Sequence, residues 1–155
     1  MKSNESFVNL AHTRGGKQER VMKQIHKDGI CPFCAENLKK YHEGEIIEES
    51  NHWFVTTNDH PYKGMLVHLM FVYKRDHIEC LSRLPPQAMA DLQKLSRKYI
   101  QEMKIDGGTL LLRFGDTNYN GASVSHLHAH IISGAHRKDK ESTKFKRCIA
   151  YSLPE

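Results

Sequence analysis

The sequence predicts one α+β domain built around an antiparallel sheet. Five segments have the length and the apolar, β-branched composition of strands, and a single long amphipathic helix falls between the third and the fourth of them. Strands that follow one another in this way favour an antiparallel layer over a doubly wound parallel sheet, in which helices alternate with strands. The chain has 155 residues, which suits one domain that buries its own core.

The hydrophobic pattern places each element. Apolar residues at helical spacing predict a short amphipathic helix over residues 17–27. The long helix starts at Pro85-Pro86 and extends to Met103, with apolar residues at three- and four-residue steps, before a glycine pair ends it. Strands are predicted at residues 45–49, 52–57, 65–73 and 109–114, and in a histidine-rich segment that ends at Ser133-Gly134.

The domain is expected to span residues 17–135. Residues 1–16 lack periodicity and close with two glycines, which predicts a flexible leader. Residues 136–155 contain two basic clusters, and a solvated basic tail is the more common meaning of such runs.

Three histidines at alternate positions, His126, His128 and His130, are the most informative feature of the chain. Side chains of a strand alternate between its faces, so the three imidazoles share one face while the apolar residues between them share the other. A strand rises about 3.3 Å per residue, which puts the outer two about 13 Å apart. One metal ion therefore cannot bind all three. At least one imidazole is left for other chemistry, and the alternative is a polar strand face with three solvated histidines.

Four cysteines are present, and two of them form the motif CPFC at residues 31–34. In a reducing compartment such a close pair indicates metal binding or redox activity rather than a structural disulfide. A redox motif of this kind would follow a strand, whereas the segment before CPFC has the pattern of a helix ended by Gly29. Metal binding is the favoured interpretation, and Cys80 and Cys148 are interpreted as ordinary thiols.

The net charge is +5 and the isoelectric point is near 9.0. A basic balance favours anionic ligands such as nucleotides or nucleic acid without choosing between them. The longest apolar stretch, residues 65–73, is far shorter than the roughly 20 residues of a membrane span. No apolar segment follows the first residues, so no secretory signal is recognised and a cytoplasmic protein without membrane association is expected.

Three motifs together resemble those of the histidine triad (HIT) family: CPFC at residues 31–34, KRDHI at 74–78 and HLHAH at 126–130. The segment GASV at 121–124, directly upstream of the histidines, adds to the resemblance, which covers about residues 31–133. The resemblance implies a HIT-like fold of five antiparallel strands with one long helix and a short N-terminal helix. It places the chain with the zinc-containing, hydrolase-like branch.

The resemblance also implies catalytic roles. Family members cleave nucleotides bonded through the α-phosphate, and the middle histidine, here His128, attacks phosphorus to form a nucleotidyl-histidine. A neutral imidazole suits this task when its other nitrogen is held as N–H by an acceptor. His130, Ser123 and the backbone amides of the 121–124 turn, which includes Gly121, Ala122 and Val124, would donate hydrogen bonds to the phosphate.

In zinc-containing members, the metal is bound by the CxxC pair, a histidine after the third strand and the first triad histidine. Here those residues are Cys31, Cys34, His77 and His126. Two thiolates and two imidazoles complete a tetrahedron without an open position, which marks a structural zinc site. His60 and His68 remain alternatives to His77 as the fourth ligand.

The chain departs from the family pattern at several positions. Several branches have a glutamine where Ala122 stands, so one side-chain donor to the phosphate is missing. Asn58 or Asp59 could supply the ribose contact that a carboxylate after the second strand commonly makes. Residues of the first two strands, Ile46, Trp53 and Val55, are candidates for the nucleotide pocket. The third triad residue is His130 rather than glutamine, which favours hydrolysis over transfer.

The function expected from these features is that of a hydrolase or transferase acting at the α-phosphate of a nucleotide conjugate: a phosphoramidate, an adenylate or a dinucleoside polyphosphate. The alternative is a zinc-stabilised module that binds nucleotides or nucleic acid with little turnover, which the net charge and the missing glutamine favour. The resemblance further implies a homodimer. Nucleic acid is the less favoured partner, because an additional nucleic-acid-binding finger is not recognised.

Overall fold

The computed structural model describes residues 6–154 and contains one five-stranded sheet with helices packed on it. The helices are α1 (Gly16–Asp28), α2 (Ala35–Tyr41) and α3 (Pro86–Glu102), and the strands are β1 (Ile46–Glu49), β2 (Trp53–Thr57), β3 (Val67–Tyr73), β4 (Thr109–Arg113) and β5 (His128–Ser133). The strand order is β1-β2-β3-β5-β4, and every neighbouring pair is antiparallel. The predicted α+β class is therefore confirmed.

The observed elements agree with the predicted ones to within two residues, with two exceptions. Helix α2 has one buried residue, Leu38, so its sequence lacks the repeating apolar stripe that reveals a helix. Strand β5 begins at His128, so His126 lies just before the strand rather than on it.

The main core lies between α3 and one face of the sheet. Leu127, Ala129 and Ile131 are at most 3% exposed and belong to the same apolar cluster as Leu92 and Leu95 of α3. The residues between them on β5 face the other side of the sheet, as the strand alternation predicts. That second face holds the candidate site.

The N-terminal segment corrects the prediction of a flexible leader. Val8 is 4% exposed and forms an isolated antiparallel bridge with Val124. The backbone N–H of Asn9 donates to the carbonyl oxygen of Ser123 at 2.9 Å. The sequence analysis missed this pairing because an isolated bridge at one residue leaves no periodic pattern in the sequence. The part of the leader that precedes residue 6 lies outside the described residues.

The C-terminal segment corrects the prediction of a purely solvated tail. Residues 136–154 contain neither helix nor strand, yet the Phe145 ring lies 5.1 Å from the Tyr62 ring. Arg113 Nη2 also donates to the carbonyl oxygen of Cys148 at 2.9 Å. We call residues 144–151 the C-terminal strap, because this segment lies against two separate parts of the domain.

Trp53 corrects the prediction of a pocket residue. Its side chain is 0% exposed, and its Nε1–H donates to the carbonyl oxygen of Ala88 on α3 at 2.8 Å. The ring packs edge-on against Tyr73 at 5.5 Å between centroids. Trp53 and Val55 both belong to the core under α3, which is the opposite face of the sheet from the candidate site.

We predict that Trp53→Ala lowers the free energy of unfolding by about 3–5 kcal/mol, because it removes a fully buried aromatic side chain and leaves a cavity. Urea denaturation measures this change. Leu66→Ala is the control: Leu66 is 75% exposed, and its replacement is expected to change stability by less than about 0.5 kcal/mol. A destabilisation by Trp53→Ala that is no larger than that of the control would contradict the core assignment.

Candidate active site and metal cluster

A cavity of about 540 Å³ opens on the face of the sheet opposite α3, a volume within the usual range of small-molecule sites. His128 and His130 line it from the sheet. Its other lining residues come from the start of the chain, α1, the CPFC turn, the end of α2, the loop after β2, β3, β4, the segment 121–124 and the C-terminal strap: Ala11, His12, Thr13, Arg14, Gln18, Val21, Met22, Ile25, Pro32, Phe33, Tyr41, His42, Asn58, Asp59, His60, Tyr62, Met70, Arg113, Gly121, Ala122, Ser123, Val124, Lys146, Arg147, Cys148 and Tyr151.

The hydrogen bonding of His128 fixes its tautomer. Its Nδ1 lies 2.6 Å from the carbonyl oxygen of His126, and because a carbonyl only accepts, Nδ1 carries the proton. The Nε2 atom of the neutral ring therefore has a free lone pair. Burial lowers the pKa of His128 to about 4, a shift that the backbone hydrogen bond opposes and the nearby positive charge of Arg113 increases. His128 is accordingly neutral near pH 7.

A chain of hydrogen bonds sets the tautomer of His130. The backbone N–H of Tyr62 donates to Nδ1 of His68 at 3.1 Å, so the proton of the neutral His68 ring is on Nε2. That atom lies 3.2 Å from Nδ1 of His130, which accepts, and the proton of His130 is left on Nε2. Burial lowers the pKa of His68 to about 4 and that of His130 well below its ordinary value. His68 is thus a partner of the triad rather than a member of the metal cluster.

The segment Gly121–Val124 forms the cavity wall beside the triad. Gly121 has φ +70° and lies against Cys148, where an added Cβ would come within 3.1 Å of the cysteine side chain. The N–H of Ala122 donates to Oδ1 of Asn120 at 2.9 Å. Val124 is 4% exposed and packs in a small apolar cluster under α1. All four residues of the segment, including Ser123, line the cavity.

Asn58 and Asp59 both line the cavity, but the oxygen atoms of both side chains already accept hydrogen bonds from the protein. Asn58 accepts a hydrogen bond from the N–H of His60 at 2.8 Å. The Asp59 carboxylate accepts from the backbone N–H groups of Glu43 and Gly44, each at 2.9 Å, and pairs with Nδ1 of His42 at 2.9 Å. Burial acts to raise the pKa of Asp59, but the hydrogen bonds from His42 and from the backbone outweigh it, so the pKa is lowered.

Cys31, Cys34, His77 and His126 form a cluster in which one ligand atom of each lies within 4.8 Å of all the others. Nε2 of His126 donates to the carbonyl oxygen of Tyr73 at 2.7 Å, so its Nδ1 is free to bind a metal ion. That Nδ1 atom lies 3.3 Å from the Cys31 sulfur and 3.3 Å from Nδ1 of His77. The set is the one that the resemblance implies, and neither His60 nor His68 belongs to it.

The donor chemistry of this cluster suits a metal ion. Burial raises the pKa of the Cys31 thiol to about 12 and also raises that of Cys34. Both thiols therefore resist ionisation in this protein environment. The Nδ1 atoms of His126 and His77 lie next to the two sulfurs, but a neutral imidazole brings no positive charge that would stabilise a thiolate. A divalent ion supplies that charge, and two sulfurs with two imidazole nitrogens form a set that zinc prefers.

The sequence analysis missed Arg113. It pairs with His128 across β4 and β5, and residues directly opposite one another on neighbouring strands share a face. Its Nε donates to the carbonyl oxygen of Asn120 at 2.9 Å, and its Nη2 to that of Cys148. Only the register of β4 against β5 brings Arg113 to the histidines, so no local motif reveals it.

These features define the class of protein: a domain with a neutral histidine pair in a cavity with basic residues, beside a Cys2His2 cluster. A HIT domain model matches residues 39–137, and the chain belongs to the HIT family. Comparison with curated proteins gives no match.

Solved structures share the fold. A HIT family hydrolase from Clostridium thermocellum has 23% identity and a TM-score of 0.56, with 72% of this chain and 96% of that chain covered. A Zn-bound histidine triad family protein from Mycobacterium smegmatis has 20% identity and a TM-score of 0.53, with 75% and 82% covered. A hypothetical histidine triad nucleotide-binding protein from Sulfolobus tokodaii has 22% identity and a TM-score of 0.53, with 79% and 81% covered.

Residues 6–154 include no helix that is both long and apolar enough to cross a bilayer.

Proposed function

We propose that this protein is a hydrolase that cleaves nucleotide conjugates at the α-phosphate through a nucleotidyl intermediate on His128. The observation that carries the proposal is the state of His128: its Nδ1 is fixed as a donor, which leaves Nε2 with a lone pair, and the ring lines a cavity that also contains arginine and lysine side chains. A neutral nucleophile among fixed positive charges is suited to attack on an anionic phosphorus centre.

The proposed reaction has two steps. In the first, Nε2 of His128 bonds to the α-phosphorus, and the bond from phosphorus to the leaving group breaks. When the leaving group is an amine, it takes the proton it needs from solvent, while the Nε2–H of the neutral His130 donates a hydrogen bond to the phosphoryl group. In the second step water attacks the same phosphorus, the phosphorus–nitrogen bond breaks, and a nucleoside monophosphate and free His128 result.

The nucleotide is proposed to lie with its phosphate against Gly121–Val124 and its nucleoside against the apolar wall that includes Val21, Met22 and Phe33. Phe33 lies edge-on to His128 at 5.0 Å between ring centroids, so the nucleoside and the nucleophile share a wall. Ser123 and the backbone N–H groups of this segment are the proposed donors to the phosphate oxygens.

We propose that the metal cluster binds zinc, supported by its Cys2His2 donor set and by the zinc reported for the Mycobacterium smegmatis protein. Bound by four protein ligands, zinc supplies structural cross-linking and no open position for substrate. The cross-link would connect the CPFC turn to the segment before β5. A homodimer and a cytoplasmic location stay predictions from the resemblance and from the sequence.

We predict that Cys34→Ser reduces the zinc retained after purification, while Cys80→Ser, which changes a thiol outside the cluster, leaves it unchanged. Losing one of four ligands should weaken zinc binding by more than the roughly 10- to 100-fold that follows the loss of a ligand's hydrogen-bond partner. Elemental analysis and the melting temperature measure the effect. Equal zinc content in both variants would exclude Cys34 as a ligand.

We predict that His128→Ala lowers kcat for adenosine 5′-phosphoramidate by on the order of 10³-fold or more, because the nucleophile of a covalent mechanism cannot be replaced by its neighbours. Release of AMP is the measurement, and a mass increase of one adenylyl group on the wild type identifies the intermediate. His136→Ala, a change at an exposed histidine of the C-terminal segment, is the control. Equal activity of His128→Ala and wild type would remove His128 from the mechanism.

The same experiment separates the alternative function. A wild-type protein that binds AMP without cleaving any of the three conjugate classes would instead be a binding module. If such a protein also binds an oligonucleotide, and its affinity for the oligonucleotide falls steeply with rising salt, the module would bind nucleic acid as well as nucleotides.

Arg113 is the proposed replacement for the side-chain donor that is missing at Ala122. We predict that Arg113→Ala lowers kcat by roughly 10²-fold, the usual cost of one transition-state donor, and that adding Ala122→Gln to this variant recovers part of the loss. Steady-state kinetics with melting temperatures as a folding control measure this. An Arg113→Ala variant with the wild-type kcat would show that Arg113 only anchors the strap.

A further inference from the structure

The C-terminal strap contributes to the cavity from outside the matched domain. Lys146, Arg147, Cys148 and Tyr151 all line the cavity that holds the triad, although the HIT domain match ends at residue 137. Contacts hold the strap at both ends: the Phe145 ring packs on Tyr62, and the Tyr151 hydroxyl lies 2.8 Å from Nε2 of His12. The strap therefore crosses from the loop after β2 to the N-terminal segment.

Two guanidinium groups meet on one aromatic ring in this region. The Arg14 carbon Cζ lies 5.0 Å from the centroid of the Tyr62 ring, and that of Arg147 lies 4.9 Å from the same centroid. Arg147 also lies 4.8 Å from the Phe145 ring centroid. Stacking on aromatic rings orients an arginine while leaving its N–H groups available for planar recognition of an anion.

Within the described residues, no carboxylate neutralises either charge. Among the ion pairs formed within residues 6–154, none involves Arg14 or Arg147. Arg14 donates through Nη2 to the carbonyl oxygen of His60 at 2.7 Å, which is a neutral partner. Burial lowers the pKa of Arg14, and the positive charge of Arg147 lowers it further. Two like charges that face one cavity repel each other until an anion lies between them or beside them.

The position of this pair relative to the triad indicates which part of a substrate it meets. Both guanidinium groups lie over the Tyr62 ring. That ring lies 4.7 Å from the His68 ring, which lies 5.1 Å from the His130 ring, so the pair lies on the side of the cavity next to these two histidines. The apolar wall for the nucleoside comes instead from α1 and the CPFC turn. Because the nucleoside is assigned to that wall, the arginine pair is in a position to bind the leaving group, which departs from the α-phosphorus.

We propose that Arg14 and Arg147 form a binding site for a phosphorylated leaving group and select substrates in which the α-phosphate is joined to a further phosphate. The inference rests on the proposed function and narrows its substrate class to dinucleoside polyphosphates. In the first step the bond from the α-phosphorus to the bridging oxygen breaks, and that oxygen leaves with the electron pair on a nucleoside di- or polyphosphate. The guanidinium groups balance the resulting negative charge, whereas an amine leaving group would take a proton and would gain nothing from them.

The test compares two substrates that share an adenylyl group: diadenosine triphosphate and adenosine 5′-phosphoramidate. We expect Arg147→Ala to lower kcat/KM for the triphosphate by about 10- to 100-fold, the usual value of a charge-assisted hydrogen bond, and to change that for the phosphoramidate by less than about 2-fold. Lys144→Ala is the matched control. It removes the same charge from an exposed residue of the strap that does not line the cavity, so both substrates should react as with wild type.

The other possible outcomes would overturn either the inference or the proposed function. Equal losses with both substrates would overturn the inference, because Arg147 would then support the whole site, and unchanged kinetics would overturn it as well. A wild type that cleaves neither substrate would contradict the proposed function separately. In that case equilibrium binding decides: the inference requires that Arg147→Ala weakens binding of diadenosine triphosphate but not of AMP, and equal effects on the two ligands would overturn it.

Discussion

The pairing of β5 with β3 and β4 is the constraint on which the site depends. Leu127, Ala129 and Ile131 are buried against α3, and burying side chains of this size contributes several kcal/mol. A shift of one residue in the register would expose these side chains and force imidazoles into the core. The hydrophobic core therefore fixes the face on which His128 and His130 lie. Their orientation does not depend on a bound substrate.

Direct contacts connect the Cys2His2 cluster to the proposed catalytic residue His128. His126 ends the segment that leads into β5, and its carbonyl oxygen accepts the hydrogen bond that sets the tautomer of His128. Phe33, between the two cysteines, lies edge-on to both His126 and His128. A metal ion that holds Cys31 to His126 would thus fix both a wall of the cavity and the proton on the nucleophile's far nitrogen, without touching the substrate.

Local patterns in the sequence were enough to predict the sheet, α1 and α3, whereas the Cys2His2 set followed from the resemblance to the HIT family. The alternation of the triad predicted the common face of His128 and His130. The strand spacing predicted only that one metal ion cannot bind all three histidines, and the choice of His126 for the cluster followed from the resemblance. What could not be predicted depends on contacts between distant segments. Trp53 was assigned to the wrong face because strand alternation gives two faces without saying which one meets α3. Arg113 and His68 reach the triad only through strand register, and the strap meets Tyr62 across 80 residues or so of chain, where no periodic pattern links the two.

The cavity combines neutral histidines with charged arginines. Burial lowers the pKa of His128 and His130 far enough that both rings are neutral at pH 7, so a lone pair is available for attack. The arginines of the same cavity remain charged, since a guanidinium keeps its proton at any pH at which proteins fold. The positive charge of Arg113 that would attract a phosphate also opposes protonation of His128, the proposed nucleophile. A lysine or histidine in place of these arginines would lose its own charge more readily under the same burial, and for that reason arginine is the residue that would allow the proposed neutral nucleophile and an anionic substrate to share one site.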